Sequence, residues 1–327
     1  MLGRFGALTL AASLWIGAIA GALPTALHAS AQTAASQIVR VQANESGLSR
    51  VPLKVGQVER EVLFYTPQSA APKAPLVIAF HGGGATSVQA FARRLGLRGM
   101  AERYGFIIAL PKGTAGPGGR MSWTAGEPEG PGGARRAPAD DLGFVDAVIA
   151  TALATNRVDP DRIYAMGLSK GGMMSYWAAC NRPGQFAAIA VVAGTLASGR
   201  CADPGGTSLL HIHGTADENV PFEGGRGART AHGNTWASAR DGIAHFADGA
   251  ACSPDWAPDQ PAGDTVCRSV DCPGESSVTY CLVANGGHGW PGAAPTPRQM
   301  RQGGAAAPNS ASAFVATDYI ARFFLAH

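Results

Sequence analysis

The sequence carries few charged residues and no run of basic ones. Only 15% of its 327 residues are Asp, Glu, Lys or Arg, and the formal net charge is +3. A protein that binds nucleic acid concentrates Lys and Arg in a patch or stripe that neutralises phosphates. The isolated pairs Arg93-Arg94 and Arg135-Arg136 are instead expected on solvated faces. The composition therefore argues against a nucleic-acid partner.

Long apolar runs are absent once the first thirty residues have passed. Arg4 precedes an apolar stretch from Phe5 to Leu27, and Ala29-Ser30-Ala31 fits a small-x-small cleavage site. This pattern predicts a secretory signal peptide over residues 1–31. A membrane anchor is the alternative, which Pro24 and the cleavage pattern disfavour. Because no cysteine stands directly after the cleavage site, we expect a secreted or periplasmic protein without a lipid anchor or a membrane span.

The rest of the chain shows no internal repeat and no linker. We expect an N-terminal extension over 32–50 and one catalytic domain over 51–327, which is long enough for a large α/β domain. The predicted strands are Val58–Tyr65, Pro75–Phe80, Gly105–Leu110, 162–166, Ala187–Val192, Ser208–His213 and Ser277–Ala284. The predicted helices are Ala92–Tyr104, a helix capped by Asp141 and running through Thr155, 170–180, 233–248 and 312–325. This alternation predicts a mostly parallel central sheet with helices on both faces.

Six cysteines in an exported chain predict disulfide bonds. Cys180 and Cys201 flank one predicted strand and its loop, so they are a candidate pair. The other four lie between Cys252 and Cys281, and their connectivity is open.

One short stretch combines a strand, a sharp turn and a helix. RIYAMGLSKGGMMSYW, residues 162–177, has the Gly-x-Ser-x-Gly pattern with Ser169 at its centre. Such a turn at the carboxyl end of a parallel strand lifts the serine above the sheet. The alternative is a plain glycine-rich connection, but the position between a buried strand and a helix favours a nucleophilic serine.

A serine nucleophile needs a base and a carboxylate. Asp217 follows a predicted strand 48 residues after Ser169, and His288 follows another strand between glycines. Both would lie on the same edge of the sheet as Ser169, in the order Ser, Asp, His that this arrangement uses. The alternatives are Asp203 and Glu218 for the carboxylate, and His211, His213, His232 and His245 for the base.

The sequence offers little to a metal ion or a cofactor. His211 and His213 could place two imidazoles on one strand face, but no third ligand motif lies nearby, and His213 is better interpreted as a structural hydrogen-bonding residue. Asp140-Asp141 at a helix start is better explained by capping than by a glycosidase carboxylate pair. We therefore expect no metal and no cofactor.

Phe80-His-Gly-Gly-Gly84 follows an early buried strand. No Gly-Lys-Ser/Thr follows, so a phosphate loop is disfavoured. Glycines in this position let backbone N–H groups approach a substrate oxygen, which predicts an oxyanion hole. The candidate donors are the amides of Gly83 or Gly84 and of Lys170, the residue after the serine.

In combination, these motifs resemble the poly(3-hydroxybutyrate) depolymerase-like esterases. That family is related to the feruloyl and acetylxylan esterases of the first carbohydrate-esterase family, within the α/β-hydrolase superfamily. The matching stretches are FHGGG (80–84), ADDLGFVDAVI (139–149), RIYAMGLSKGGMMSYWAAC (162–180), FAAIAVVAG (186–194), HIHGTADENVPFEGG (211–225) and GGHGWPG (286–292). The resemblance implies a triad of Ser169, Asp217 and His288 and the hydrolysis of an ester bond.

Several functions remain open at the level of the sequence. The expected substrate is a hydroxyalkanoate oligomer or polymer, and the first alternative is a feruloyl or acetylated carbohydrate. A serine peptidase and a non-catalytic carbohydrate- or polymer-binding protein are the others. Trp123 and Trp290 are candidates for an aromatic wall around the acyl group, against core packing as the alternative. No obligate protein partner is expected.

Overall fold

A ten-stranded sheet organises the part of the chain that the computed structural model describes. The described residues are 47–126, 139–197, 201–229, 234–294 and 313–327, and all belong to one unit of the chain. The predicted signal peptide lies outside them, as does most of the predicted N-terminal extension. Residues 48–50 of that extension belong to the first strand.

The elements alternate between strands and helices along most of the chain. The strands are β1 (Leu48–Val55), β2 (Val58–Tyr65), β3 (Ala74–Phe80), β4 (Ile107–Pro111), β5 (Thr114–Ala115), β6 (Met121–Ser122), β7 (Val158–Leu168), β8 (Ala188–Val192), β9 (Ser208–Gly214), β10 (Gly225–Arg226), β11 (Thr235–Trp236), β12 (Gln260–Ala262), β13 (Thr265–Asp271) and β14 (Ser277–Val283). The helices are α1 (Val88–Leu95), α2 (Leu97–Tyr104), α3 (Asp141–Leu153), α4 (Lys170–Asn181), α5 (Ala239–Gly249) and α6 (Ala316–Ala326), with 3-10 turns at Pro117–Gly119 and Pro273–Glu275.

The main sheet has the order β1-β2-β4-β3-β7-β8-β9-β14-β13-β12. Its six central strands, from β4 to β14, are parallel, and two antiparallel strands flank them on each side. Parallel strands need crossover connections, which here carry most of the helices. The carboxyl ends of β3, β7, β9 and β14 therefore meet at one edge, where the loops that follow these strands lie close together.

Both faces of the sheet are buried, so the central strands are continuously apolar. All seven residues of β3 are buried, and their side chains alternate between two cores: Ile78 belongs to one and Val77 to the other. The first core includes side chains of α3, α4 and α5, and the second includes side chains of α1, α2 and α6. This confirms the predicted fold class, because apolar runs of this kind are typical of strands covered on two sides.

The structure corrects several details of the predicted helices. The helix predicted over 233–248 begins only at Ala239, as α5, because Thr235 and Trp236 form the short strand β11. Gly96, with a φ of +70°, splits the predicted helix Ala92–Tyr104 into α1 and α2. The cap of α3 is Asp140, whose side chain accepts a hydrogen bond from the Gly143 amide. Asp141 was predicted as the cap but is only 2% exposed, and its carboxylate accepts a hydrogen bond from Arg60. The Asp141 carboxylate therefore forms a buried ion pair with Arg60 and does not cap the helix.

All six cysteines are paired. The bonds join Cys180 to Cys201, Cys252 to Cys272 and Cys267 to Cys281. The first is the candidate pair from the sequence, and it ties the end of α4 to the loop before β9. No helix in the described ranges is both long enough and apolar enough to cross a bilayer.

Candidate active site

Ser169 stands at the turn between β7 and α4. Its backbone has φ +56° and ψ −120°, a conformation that costs about 1–3 kcal/mol for a residue other than glycine. Two glycines make the turn possible by their lack of a side chain. A Cβ on Gly171 would lie 2.6 Å from the His81 carbonyl oxygen, and one on Gly167 would lie 2.7 Å from the Gly172 nitrogen. The Ser169 amide donates to Val192 O at 2.8 Å, which fixes the turn to β8.

The three residues predicted to form a triad lie in one hydrogen-bonded row. His288 Nε2 is 2.9 Å from Ser169 Oγ, and His288 Nδ1 is 2.8 Å from Asp217 Oδ2. Asp217 has a fully buried side chain, whereas the side chain of His288 is 19% exposed. An ionised carboxylate can only accept hydrogen bonds, so Nδ1 of His288 carries the proton in this contact. Nε2 of the neutral imidazole is then an acceptor, and its lone pair faces the serine hydroxyl.

The loops that carry Asp217 and His288 are bound to each other. The Ala216 amide donates to Gly286 O at 2.8 Å, and the Asn285 amide donates to Thr215 Oγ1 at 2.9 Å. Gly214 packs so closely on the Gly286 carbonyl that no side chain fits between them. These contacts between the two loops fix the positions of the carboxylate and the imidazole relative to each other.

Asp217 is surrounded by hydrogen-bond donors. Its Oδ1 accepts from the amides of Asn219 and Val220 at 2.8 and 2.9 Å. Burial by itself would raise the pKa of this carboxyl group. Hydrogen bonds from His213 and His288, with the charge of His288 and the Val220 amide, outweigh that effect and hold the pKa well below its usual range. Asp217 is therefore ionised wherever the protein is folded near neutral pH.

The candidate oxyanion donors are reduced to two by the structure. Gly84 was predicted as one option, but its amide donates to Met121 O at 2.8 Å and is not available to a substrate. Gly83 lies beside Lys170: a Cβ built on Gly83 would be 3.5 Å from Lys170 Cβ and 3.3 Å from Ser122 Oγ. The amides of Gly83 and Lys170 therefore remain the candidates next to Ser169.

His81 and Trp123 hold the glycine loop in place. His81 is fully buried, its Nε2 accepts from the Gly113 amide at 3.0 Å, and its Nδ1 lies 2.9 Å from Gly82 O. Trp123 donates from its indole nitrogen to His81 O at 2.9 Å and packs edge-on against Phe80. Because Trp123 is only 3% exposed, it supports the loop from the interior.

Trp290 is also an interior residue. It is 1% exposed, and its indole N–H donates to Thr317 Oγ1, which in turn donates to Leu95 O. The structure therefore places neither Trp123 nor Trp290 on the wall of an open acyl pocket. The prediction fails because aromatic residues close to a catalytic motif in sequence can point either into the pocket or into the core.

The alternative site residues lie elsewhere or have other roles. Asp203 accepts from the Gly205 amide in a turn, Glu218 pairs with Arg229, and His245 is exposed on α5. His232 lies outside the described residues. His211 and His213 are buried and hydrogen-bonded to each other, Nε2 to Nδ1 at 3.0 Å. Within the described ranges, no three His, Cys, Asp or Glu side chains gather as a metal ion would require.

A cavity of about 570 Å³ is lined in part by Asp217 and its neighbours in the same loop. Its lining includes Phe222, Arg226 and Arg240 but neither Ser169 nor His288. Because neither residue lines it, this cavity is not the place where an acyl group would meet the serine.

Comparisons with known proteins agree with this architecture. The family model described as Esterase PHB depolymerase matches residues 60–203. The chain is 34% identical over 235 residues to the putative esterase NocK of Nocardia uniformis subsp. tsuyamanensis, across 68% of this chain and 66% of that protein. It is 29% identical over 194 residues to the probable feruloyl esterase C of Aspergillus flavus, across 56% of this chain and 66% of that protein. The chain thus spans just under two thirds of the length of both relatives.

Among solved structures, the acetyl xylan esterase from Aspergillus awamori superposes with a TM-score of 0.51. The superposition covers 78% of this chain and 97% of that one at 14% identity, which establishes the shared fold. The glycine-flanked Ser169 on a mostly parallel sheet, the family match and the relatives all agree. The chain belongs to the poly(3-hydroxybutyrate) depolymerase-like esterases of the α/β-hydrolase superfamily.

Proposed function

We propose that this protein is an exported serine esterase that hydrolyses carboxylic esters through an acyl-enzyme. The observation that carries the proposal is the row of hydrogen bonds from Ser169 Oγ through the His288 ring to Asp217 Oδ2, at 2.9 and 2.8 Å. A non-catalytic binding protein has no need of a strained serine backed by an oriented imidazole and a buried carboxylate. This geometry supports the catalytic roles given below.

In the first half of the reaction, Ser169 Oγ attacks the ester carbonyl carbon. A bond forms between Oγ and that carbon, the hydroxyl proton moves to His288 Nε2, and the carbonyl π electrons move to oxygen. The backbone amides of Gly83 and Lys170 then donate to the resulting oxyanion. One such donor is typically worth about 3 kcal/mol in the transition state. The N-terminus of α4 points at the same position and favours negative charge there.

Collapse of this intermediate breaks the bond between carbon and the alcohol oxygen. His288 gives its proton to the departing alcohol, and the acyl group stays on Ser169. Water then repeats the sequence: it loses a proton to His288, attacks the acyl carbon and releases the acid, while the proton returns to Ser169 Oγ. Asp217 keeps the imidazole in one tautomer and stabilises its charged form throughout.

For the substrate, we propose a hydroxyalkanoate oligomer or polymer of the polyhydroxybutyrate type. The description of the matching family supports this choice. The alternative is a feruloyl or acetylated plant carbohydrate, which the name of the Aspergillus flavus relative favours. Export is supported by three disulfide bonds, which form and persist in oxidising compartments.

The nucleophile can be tested by labelling and the substrate by a hydrolysis panel. We expect a fluorophosphonate probe to form an adduct on Ser169 in the wild type and none in Ser169→Ala, which should remain folded. Purified protein is then assayed on short p-nitrophenyl esters, hydroxybutyrate oligomers, methyl ferulate, acetylated xylan and a peptide anilide. An unlabelled wild type would exclude a serine esterase, and faster turnover of the anilide would point to a peptidase.

The pH profile provides a second check. Because a protonated imidazole cannot accept the serine proton, kcat/KM should fall on the acidic side as His288 gains a proton. A profile with no acidic limb would contradict the role of His288 as the base.

A further inference from the structure

A chain of buried hydrogen bonds continues the catalytic row beyond Asp217. Tyr176 Oη lies 2.9 Å from His211 Nδ1, and His211 Nε2 lies 3.0 Å from His213 Nδ1. His213 Nε2 lies 2.8 Å from Val220 O and 3.4 Å from Asp217 Oδ2. All three residues are at most 1% exposed, so the chain lies in the protein interior.

The proton positions in this chain follow from its far end. A backbone carbonyl can only accept, so His213 must carry its proton on Nε2 and face Val220 O with it. The Nδ1 of a neutral His213 is then an acceptor, which places a proton on His211 Nε2. His211 Nδ1 is in turn an acceptor for the hydroxyl of Tyr176. Every donor points the same way, toward Asp217.

The buried surroundings favour this neutral arrangement. Burial, reinforced by the neighbouring His213, lowers the pKa of His211 well below its usual range. Burial also raises the pKa of Tyr176, which keeps its hydroxyl a donor. The two imidazole rings are nearly parallel and lie side by side, with 5.3 Å between their centres, and the ring of Phe222 packs edge-on against His213 at 5.4 Å.

We propose that His213 is a positioning residue for the acid of the triad, with its Nε2 proton fixed by Val220 O on the side of the ring that faces Asp217. The proposal rests on the proposed esterase function. His213 acts in two ways. Its Nε2 proton, which faces Val220 O at 2.8 Å, also lies on the side of Asp217 Oδ2, with 3.4 Å between nitrogen and oxygen, and Val220 in turn donates from its amide to Oδ1 of the same carboxylate. His213 thus fixes the short loop on which Asp217 stands.

Two substitutions of His213 test the roles of its two ring nitrogens separately. His213→Gln puts an amide nitrogen near the position of Nε2 and keeps a donor for Val220 and Asp217. His213→Asn puts an amide near the position of Nδ1, where its oxygen can accept from His211, but it leaves nothing to donate toward Asp217. Tyr176→Phe is the control, because it weakens the same buried cluster and removes no donor from the carboxylate.

In His213→Asn we expect kcat to fall about tenfold with an unchanged KM, as one hydrogen bond to a charged group is lost. With less of its charge neutralised by donors, Asp217 stabilises the protonated His288 more. The acidic limb of kcat/KM should therefore move to higher pH by roughly half a unit. His213→Gln should recover most of kcat and place the limb where the wild type has it. Tyr176→Phe should leave the midpoint of the limb in place.

A role in stability alone gives a different result. Gln and Asn would then lower kcat to a similar extent with the limb unmoved, and this outcome overturns the proposal, as does full activity in His213→Asn. If both variants fail to fold, ¹⁵N NMR of the imidazole nitrogens in the wild type decides. The proposal requires neutral, Nε2-protonated rings at His211 and His213, and a proton on Nδ1 of His213 refutes it. This measurement does not depend on enzyme activity. A result that refutes the role of His213 can therefore be distinguished from a negative fluorophosphonate reaction, which would refute the proposed esterase function.

Discussion

The adjacent carboxylates Asp140 and Asp141 are expected to respond very differently to the same substitution. Asp141 is buried and accepts from Arg60 at 2.9 Å and from the amide and hydroxyl of Thr124 at 2.7 and 3.0 Å. Asp140 accepts one amide hydrogen bond as the cap of α3. Replacing each by alanine in turn therefore compares a buried ion pair with a helix cap one residue away.

The size of the effect follows from what Asp141→Ala leaves behind. The Arg60 side chain is 5% exposed, and its remaining partners among the described residues would be Lys112 O at 3.3 Å and the ring of Phe144 at 4.1 Å. An uncompensated buried charge typically costs about 3–5 kcal/mol, whereas a lost cap costs about 1 kcal/mol. For a chain of this size, 1 kcal/mol corresponds to roughly 2–4 °C in Tm. We expect Asp141→Ala to lower Tm by about 10 °C and Asp140→Ala by about 3 °C.

Thermal unfolding followed by tryptophan fluorescence measures both values. A double variant, Arg60→Met with Asp141→Leu, should regain most of the loss because it removes both buried charges together. Asp141→Ala should also lower kcat, since Thr124 adjoins Trp123, which holds the His81 carbonyl. Equal Tm losses for the two alanine variants would refute the assignment of Asp141 to a buried ion pair.

Two further outcomes test the turn and the disulfides. Gly171→Ala should abolish hydrolysis and reduce the folded yield, because the added methyl group would overlap the backbone carbonyl of Phe80. Circular dichroism measures the folded fraction and an ester assay measures the activity. Wild-type activity in this variant would contradict the geometry of the turn. Replacing Cys180 and Cys201 together by alanine should lower the free energy of unfolding by about 3 kcal/mol, because the bond closes a loop over a separation of 21 residues. Urea titration measures this free energy. A change below about 1 kcal/mol would show that the disulfide restricts the unfolded chain very little.

Residues with a strong local pattern were predictable from the sequence. The strand from Val58 to Tyr65 has the predicted bounds, and the structure brings together the predicted Ser169, Asp217 and His288. These residues stand at strand ends, where the parallel topology alone decides which edge they share. At these positions the local sequence pattern agrees with the overall fold, so the residues can be placed without knowledge of any side-chain direction.

Features that depend on the direction of a side chain were not predictable. Nothing local distinguishes Asp140 from Asp141, because the difference is made by Arg60 on β2, 81 residues earlier. The indole of Trp290 points into the core because Thr317 on α6 accepts its hydrogen bond. Likewise β13, with alternating burial and a polar sequence, pairs with β14 through contacts that no short segment contains.

The close approach of Gly214 to Gly286 has a consequence for protein engineering. Since the two loops share hydrogen bonds and leave no space for a side chain, an insertion or deletion in either would displace both the acid and the base while Ser169 stayed in place. Libraries meant to change acyl selectivity should leave residues 214–217 and 285–288 untouched and vary residues 114–120, which end beside Gly84 of the oxyanion loop.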